Sequence, residues 1–486
     1  MLPKLLVRRE LPDSVGHVLY LAPPAASGGE ALPAALPDRL SWQAVQRRRG
    51  IANDELAKTP LCIDTAQGRR AAFVPLAADS PRFERLTLLR KALQPLLDET
   101  PKELALVDLG AGMALRRDAA LVALLGGATL PTMKKKADDR CVRRIVVIDE
   151  DDAAYAETVA LARANTLARE LTTLPPNVLT PADYRRRLRA LAKAQGWQHE
   201  EYDFRVLKKL GAGAFCAVAQ GSGARDAAIV RLSWRSQGGG PRPRLALVGK
   251  GICFDTGGHN LKPAKYMHGM HEDMAGSAVA LALLQAIAAL ELPLAVDAWL
   301  AIARNDLSPA AYVQGDIVRA LDGTTIEVVH TDAEGRMVLA DTLALAVREK
   351  PDLVIDFATL TGSMQTALGN RYCGVFASEA RLGELAVACG REAGERLCLF
   401  PLDEDYDAAL ESKVADVKQC TLEGDADHIL GARFLKRFVG ERAWLHLDLS
   451  AARCEGGLGA VGSEITGFGV LWGLTFVRRH LEAMNE

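Results

Sequence analysis

Leu245-Ala246-Leu247-Val248-Gly249-Lys250-Gly251-Ile252-Cys253-Phe254-Asp255-Thr256-Gly257-Gly258 is the stretch whose reading decides the fold. Its first four residues are an apolar run of strand type, and glycines and charges follow at once. Working outward, strand-type and helix-type runs alternate. A helix is predicted over 276–290, strands over 295–302 and 325–329, a helix over 337–349 and a strand over 353–357. This alternation predicts an α/β fold with a mainly parallel central sheet covered by helices. Sites in such sheets gather at the carboxyl ends of strands. Lys250, Asp255, Lys262 and Asp273 follow the first strand among glycines and apolar residues, where solvated charges are not expected.

A second charged cluster, His330-Thr331-Asp332-Ala333-Glu334-Gly335-Arg336, follows the run over 325–329. Residues i and i+2 of an extended segment point the same way. Asp332 and Glu334 are therefore expected to face one point, with Arg336 following if the chain stays extended. Two carboxylates aimed together repel unless positive charge lies between them, and a metal ion is the simplest source. Taken alone, such a string is more often a solvated turn; the upstream cluster reverses that judgement. Asp255, Asp273, Asp332 and Glu334 supply four carboxylates, whose charge two divalent ions balance. Paired metals are a known device for activating water. Oxygen ligands suit Zn, Mn, Mg or Co without choosing among them. A lysine beside metal ions can become a neutral ligand, and one that stays charged can steady an oxyanion. The residues alone do not divide these roles between Lys250 and Lys262.

The rest of the chain bounds the answer. Its 486 residues predict two or three domains. Residues 1–165 read as a smaller N-terminal α/β domain, with strands at 104–109 and 144–149, a helix over 119–125 and an irregular loop over 21–37. Residues 166–486 read as the larger α/β domain that carries the chemistry. A helix over 151–171 bridges the two, and Thr180-Pro181 starts a basic helix over 182–195. The net charge of −2 favours neither nucleic acid nor membrane. The basic runs Arg47-Arg48-Arg49, Lys134-Lys135-Lys136 and Arg185-Arg186-Arg187 read as solvated faces. No apolar segment near the start resembles a secretory signal. The apolar stretch 275–292 is interrupted by polar residues and reads as a buried helix. The nine cysteines are scattered, odd in number and without a C-x-x-C pair, which speaks against a disulfide framework and for a reducing cytoplasm. No H-E-x-x-H, P-loop, dinucleotide fingerprint or G-x-S-x-G is present. His268 and His271 beside Asp273 invite a metal reading, weakened by Glu272 as an alternative partner.

The combination Val248-Gly249-Lys250-Gly251, Phe254-Asp255-Thr256-Gly257-Gly258, Leu261-Lys262-Pro263, Asp273-Met274, Thr331-Asp332-Ala333-Glu334-Gly335-Arg336 and Ala358-Thr359-Leu360-Thr361-Gly362 is specific. With Pro175-Pro176-Asn177-Val178-Leu179-Thr180-Pro181 upstream, it resembles the cytosolic leucyl aminopeptidase family of dinuclear-metal exopeptidases. The resemblance covers roughly residues 165–480. It implies hydrolysis of the first peptide bond of a peptide. Asp255 and Glu334 would bridge two divalent ions, such as Zn or Mn. Asp332 would complete one site, and Asp273 with Lys250 as a neutral amine the other. Lys262 would stabilise the gem-diolate, while Arg336, with Leu360, would hold a bicarbonate acting as general base. Met270, Thr359, Gly362 and residues 450–454 would line the pocket for the first side chain, with core packing the alternative for Met270 and Thr359. The resemblance further implies a homohexamer in the cytoplasm. His330, Met337, His259-Asn260 and His271-Glu272 depart from the family pattern without removing a ligand. The rival readings are a DNA-binding or regulatory protein on the same scaffold and a catalytically inactive scaffold.

Overall fold

A computed structural model describes residues 1–25, 32–135, 141–237 and 242–485. Residues 26–31 of the predicted 21–37 loop and Lys136 of the second basic run lie outside these. The chain divides into two compact units. One comprises Met1–Thr166, Arg391–Glu395 and Cys454–Thr466, the other Leu167–Gly390, Arg396–Arg453 and Gly467–Glu486.

The first unit holds strands β1 (Lys4–Arg8), β2 (His17–Ala22), β3 (Leu61–Asp64), β4 (Arg70–Pro75), β5 (Glu103–Asp108) and β6 (Arg144–Ile148). They form one sheet in the order β1-β6-β5-β2-β4-β3. All its pairings are parallel except β3 with β4. Helices Arg82–Leu97 and Met113–Gly127 pack together in this unit.

The second unit holds β7 (Gln198–Asp203), β8 (Ala228–Arg235), β9 (Arg244–Asp255), β10 (Ala295–Asn305), β11 (Ile317–Arg319), β12 (Thr325–Glu327), β13 (Leu353–Ala358), β14 (Cys373–Ala377), β15 (Leu397–Leu399), β16 (Val417–Lys418) and β17 (Ala443–Asp448). Its main sheet runs β15-β14-β17-β13-β9-β10-β8-β7. The four central strands, β17, β13, β9 and β10, are mutually parallel, and antiparallel pairings flank them at β14 and β8. The central strands are buried along nearly their whole length, as expected of strands covered on both faces.

Strand β9 is far longer than the apolar run over 245–248 and continues through the glycines to Asp255. Strand alternation explains how. A Cβ on Gly249 would lie 2.4 Å from Ser277 Cα, so the odd positions meet the helix Ala275–Ala289 at close range. Lys250, between them, faces the other way, toward Gly335 at the start of the helix Glu334–Arg348. The span Met270–Ala289 is long and apolar enough to cross a membrane, but 78% of its apolar window is buried inside the protein. It is a core helix.

Two expectations are corrected. The run over 325–329 is not a strand of the main sheet. Only Thr325–Glu327 is extended, and it belongs to a separate three-stranded sheet, β11-β12-β16. The acidic cluster that follows is a turn leading into a helix, not an extended segment. The basic run near 185 is matched by acid: Arg185 pairs with Glu201, and Arg186 with Asp183.

Candidate metal centre

Lys250 and Asp255 enter from β9, and the turn after the strand brings in Lys262. Gly257 permits that turn with φ of 86°, and a Cβ there would meet Asn260 O at 2.5 Å. Asp273 follows the short turn Met270–Glu272 and is buried. Asp332 lies in the turn before the helix Glu334–Arg348, and Glu334 is that helix's first residue. A carboxylate at a helix N-terminus is favoured by the local dipole.

The turn carrying Asp332 is pinned by polar residues. Thr331 O accepts from Asn305 Nδ2 at 3.0 Å and from the Tyr312 hydroxyl at 2.7 Å. Thr331 N–H donates to Asn260 Oδ1 at 2.8 Å, and its hydroxyl donates to Gly257 O at 2.6 Å. His330 Nδ1 accepts from the Asp332 N–H at 3.2 Å. Burial and the nearby Lys262 hold the His330 ring below the usual imidazole value, consistent with a neutral acceptor. The two departures His330 and Asn260 are thus fasteners of the turn.

The charges form two linked sets. Lys250 Nζ lies 2.8 Å from Asp273 Oδ1 and 2.9 Å from Glu334 Oε1, and donates to Thr359 O at 2.9 Å. Lys262 Nζ lies 2.9 Å from Asp255 Oδ2 and 2.5 Å from Asp332 Oδ1. Asp332 and Glu334 thus address different lysines rather than pointing side by side, because the chain between them turns into a helix. Asp255, Asp273 and Glu334 offer carboxylate oxygens that all lie within 4.8 Å of one another.

Burial raises the Asp273 carboxyl to about 7, with Lys250 opposing and Glu334 and Asp255 adding to the rise. Burial likewise lifts Asp332 to about 8, with Asp255 and Glu334 adding to it. Glu334 is raised for the same reasons, burial first. Burial works against the ammonium of each lysine, but the surrounding carboxylates outweigh it and raise both. Two buried oxygens, Asp273 Oδ2 and Glu334 Oε2, have no hydrogen-bond partner among the described residues. Crowded carboxylates with unmatched buried oxygens fit divalent cations.

These groups line a cavity of about 330 Å³. Met270, Thr359, Leu360 and Gly362 line it as well, together with Tyr266, Glu272, Gln365, Asp448, Ser450 and Arg453. Thr359 does more than pack: its hydroxyl donates to Asp273 Oδ1 at 2.6 Å while its carbonyl holds Lys250. Asp448 accepts from the Leu360 N–H at 3.0 Å and from the Thr361 hydroxyl at 2.6 Å. Arg336 is not among the lining residues. Its guanidinium is 2% exposed, with Nη1 donating to Gln419 O at 2.8 Å and Nη2 to Asp427 Oδ1 at 2.8 Å. Nε has no partner among the described residues. With the charge already matched, that N–H calls only for a neutral acceptor. Sequence reasoning passed over Asn305 and Asp427. Asn305 had one signal, an amide at the end of an apolar strand-type run.

The catalytic-domain model of the cytosol aminopeptidase family matches residues 166–472. The chain belongs to the cytosol aminopeptidase family. It is a metal-dependent aminopeptidase of that family, a hydrolase of peptide bonds. It is 39% identical to the probable cytosol aminopeptidase of Nitrobacter winogradskyi over 363 residues, covering 72% of this chain and 71% of that protein. Among solved structures it resembles the bottromycin maturation enzyme BotP in complex with Mn, with a TM-score of 0.84 and 32% identity over 96% of this chain and all of that one. The cytosol aminopeptidase from Coxiella burnetii is similar at a TM-score of 0.80 and 25% identity, covering 98% of this chain and 99% of that one.

Proposed function

We propose that this aminopeptidase removes the first residue of peptides at a two-metal centre held by Lys250, Asp255, Asp273, Asp332 and Glu334. The observation that carries the reading is the buried cluster of Asp255, Asp273 and Glu334 with two unmatched oxygens, set in a cavity that Lys262 also lines. Asp255 and Glu334 would be shared between the ions, Asp332 would complete one site, and Asp273 with Lys250 the other. Divalent ions there would supply Lewis acidity and a water acidic enough to attack at neutral pH. A relative with Mn bound makes Mn a first metal to test, beside Zn.

The chain's own residues do the rest. Lys250 is an ammonium in this arrangement, so taking up metal requires it to give up a proton. Lys262 keeps its charge and donates to the carbonyl oxygen as negative charge builds there, a role worth several kcal/mol in a water-poor site. Asn305 donates to Asp255 Oδ1 at 2.8 Å and fixes that carboxylate's rotation. Thr359 does the same for Asp273. Met270, Thr359 and Gly362 with Ser450 would receive the first side chain. A bicarbonate on Arg336 would have to compete with the Asp427 carboxylate already paired to it.

Hydrolysis of aminoacyl-anilides by metal-stripped protein, with Mn, Zn, Co or Mg added back, tests the reading. Turnover that returns with metal is expected; no turnover with any metal and any residue would reject it. The cytosolic names of the relatives support a cytoplasmic location. A homohexamer is part of the same proposal, and sedimentation velocity tests it.

A further inference from the structure

We propose that Asp427 is the built-in anion of Arg336, so that the enzyme neither binds nor needs bicarbonate there. The inference rests on the aminopeptidase reading above.

Arg336 lies in the first turn of the helix that opens with Glu334, and its guanidinium is 2% exposed. A buried guanidinium requires a counter-charge, and Asp427 Oδ1 supplies it at 2.8 Å. The helix that carries Asp427 also runs close past the pair, while Arg336 Nε has no partner among the described residues. Asp427 is the first residue of the helix Asp427–Val439. Gly431 of that helix lies so near that a Cβ on it would come within 3.2 Å of Leu360 Cδ2 and 3.5 Å of Arg336 Nη2. These are the two residues expected to hold bicarbonate. The helix start is fastened in place: His428 N–H donates to Ser363 Oγ at 2.9 Å. Ala426, just before it, takes a left-handed φ of 51°, which a residue with a Cβ adopts only when its surroundings hold it there.

Asp427 is a positioning residue. Without its carboxylate, Arg336 would be a buried cation two residues from Glu334. It would then draw on Glu334, loosening the metal centre, or recruit a small anion from solution. The second course gives the test its signature.

The experiment compares the Mn-loaded wild type with Asp427→Asn in carbon-dioxide-free buffer, with bicarbonate and then acetate titrated in. Two readouts are followed: aminoacyl-anilide hydrolysis, and line broadening of ¹³C-bicarbonate by the protein. The wild type is expected to turn over at the same rate with or without bicarbonate and to leave the ¹³C line unchanged. Asp427→Asn should lose about tenfold in rate, recover it with either anion, and broaden the line. A wild type that bicarbonate activates severalfold, or that binds it at this site, overturns the inference. So does a folded, metal-loaded Asp427→Asn that no anion rescues or that keeps full activity. If the variant does not fold, the wild-type arm decides. A wild type without activity under any metal rejects the aminopeptidase reading, and the ¹³C line still decides on Asp427.

Discussion

Both units place aspartates at the carboxyl ends of parallel strands, and they treat them in opposite ways. In the first unit Asp108 ends β5 and Asp149 follows β6. Asp108 accepts from the Ala111 N–H at 2.5 Å and the Gly112 N–H at 3.1 Å. Asp149 accepts from the Tyr155 hydroxyl at 2.6 Å and the Glu150 N–H at 2.7 Å, and Arg116 bridges both carboxylates. Every carboxylate oxygen is answered. In the second unit Asp255 ends β9 and faces Asp273 and Glu334, each with an oxygen left over. A carboxylate at a strand end is therefore not in itself a site. The shortage of donors makes it one.

The two regions differ in the sign of their titration. For Asp149, burial raises the pKa but the Tyr155 hydroxyl, the Glu150 N–H and Arg116 outweigh it, so the group sits below the usual range. For Asp273 and Asp332, burial leads and lifts them to about 7 and about 8.

The sharpest way to break the contrast is Glu334→Ala. It should lose bound metal, measured by elemental analysis, and nearly all turnover. A variant that keeps its metal and substantial turnover would remove Glu334 from the centre. Next, Lys262→Ala should lower kcat by on the order of 10²- to 10³-fold with metal still bound, the typical effect of deleting one oxyanion donor. An unchanged kcat would assign Lys262 to holding Asp255 and Asp332 alone. Asn305→Ala should weaken metal binding by roughly 10- to 100-fold through Asp255, read in a chelator competition.

The pH dependence follows from the signs. A carboxyl raised in the folded state holds its proton there, so ionising Asp273 and Asp332 destabilises the metal-stripped protein as pH climbs from about 4 to about 8. Metal loading relieves that cost and also displaces a proton from Lys250. The gain in melting temperature on adding metal should thus grow between about pH 6 and pH 8.5. A constant gain would contradict the raised carboxyls. Asp149 runs the other way: its contribution is present above the usual aspartate value and fades as pH falls through its lower folded value. Smallest of all, Asp149→Ala should cost about 1–3 kcal/mol in urea unfolding and leave turnover per folded molecule unchanged. A turnover defect in the folded variant would make the first unit's cluster more than structural.

Much of the centre was legible because its residues announce themselves locally. Lys250 and Asp255 are charges inside an apolar, glycine-rich strand, and Asp332 and Glu334 are two residues apart. The geometry around them was not. An extended reading of 330–336 aimed both carboxylates at one point, but the Glu334–Arg348 helix begins at Glu334 and sends them to separate lysines. The run over 325–329 has strand composition, yet pairing with β11 and β16 takes it out of the main sheet. Strand composition describes a half-buried surface, and the choice of partner belongs to the whole fold.

The sequence by itself determined the α/β class and the residue types that gather at the strand ends, since periodicity and residue type are local properties. Only the tertiary structure decided which charges are spare. Asn305 reaches Asp255 across 50 residues and Asp427 reaches Arg336 across 91. A hydrogen bond or ion pair depends on a few ångströms of separation in space, and no spacing along the chain encodes that distance.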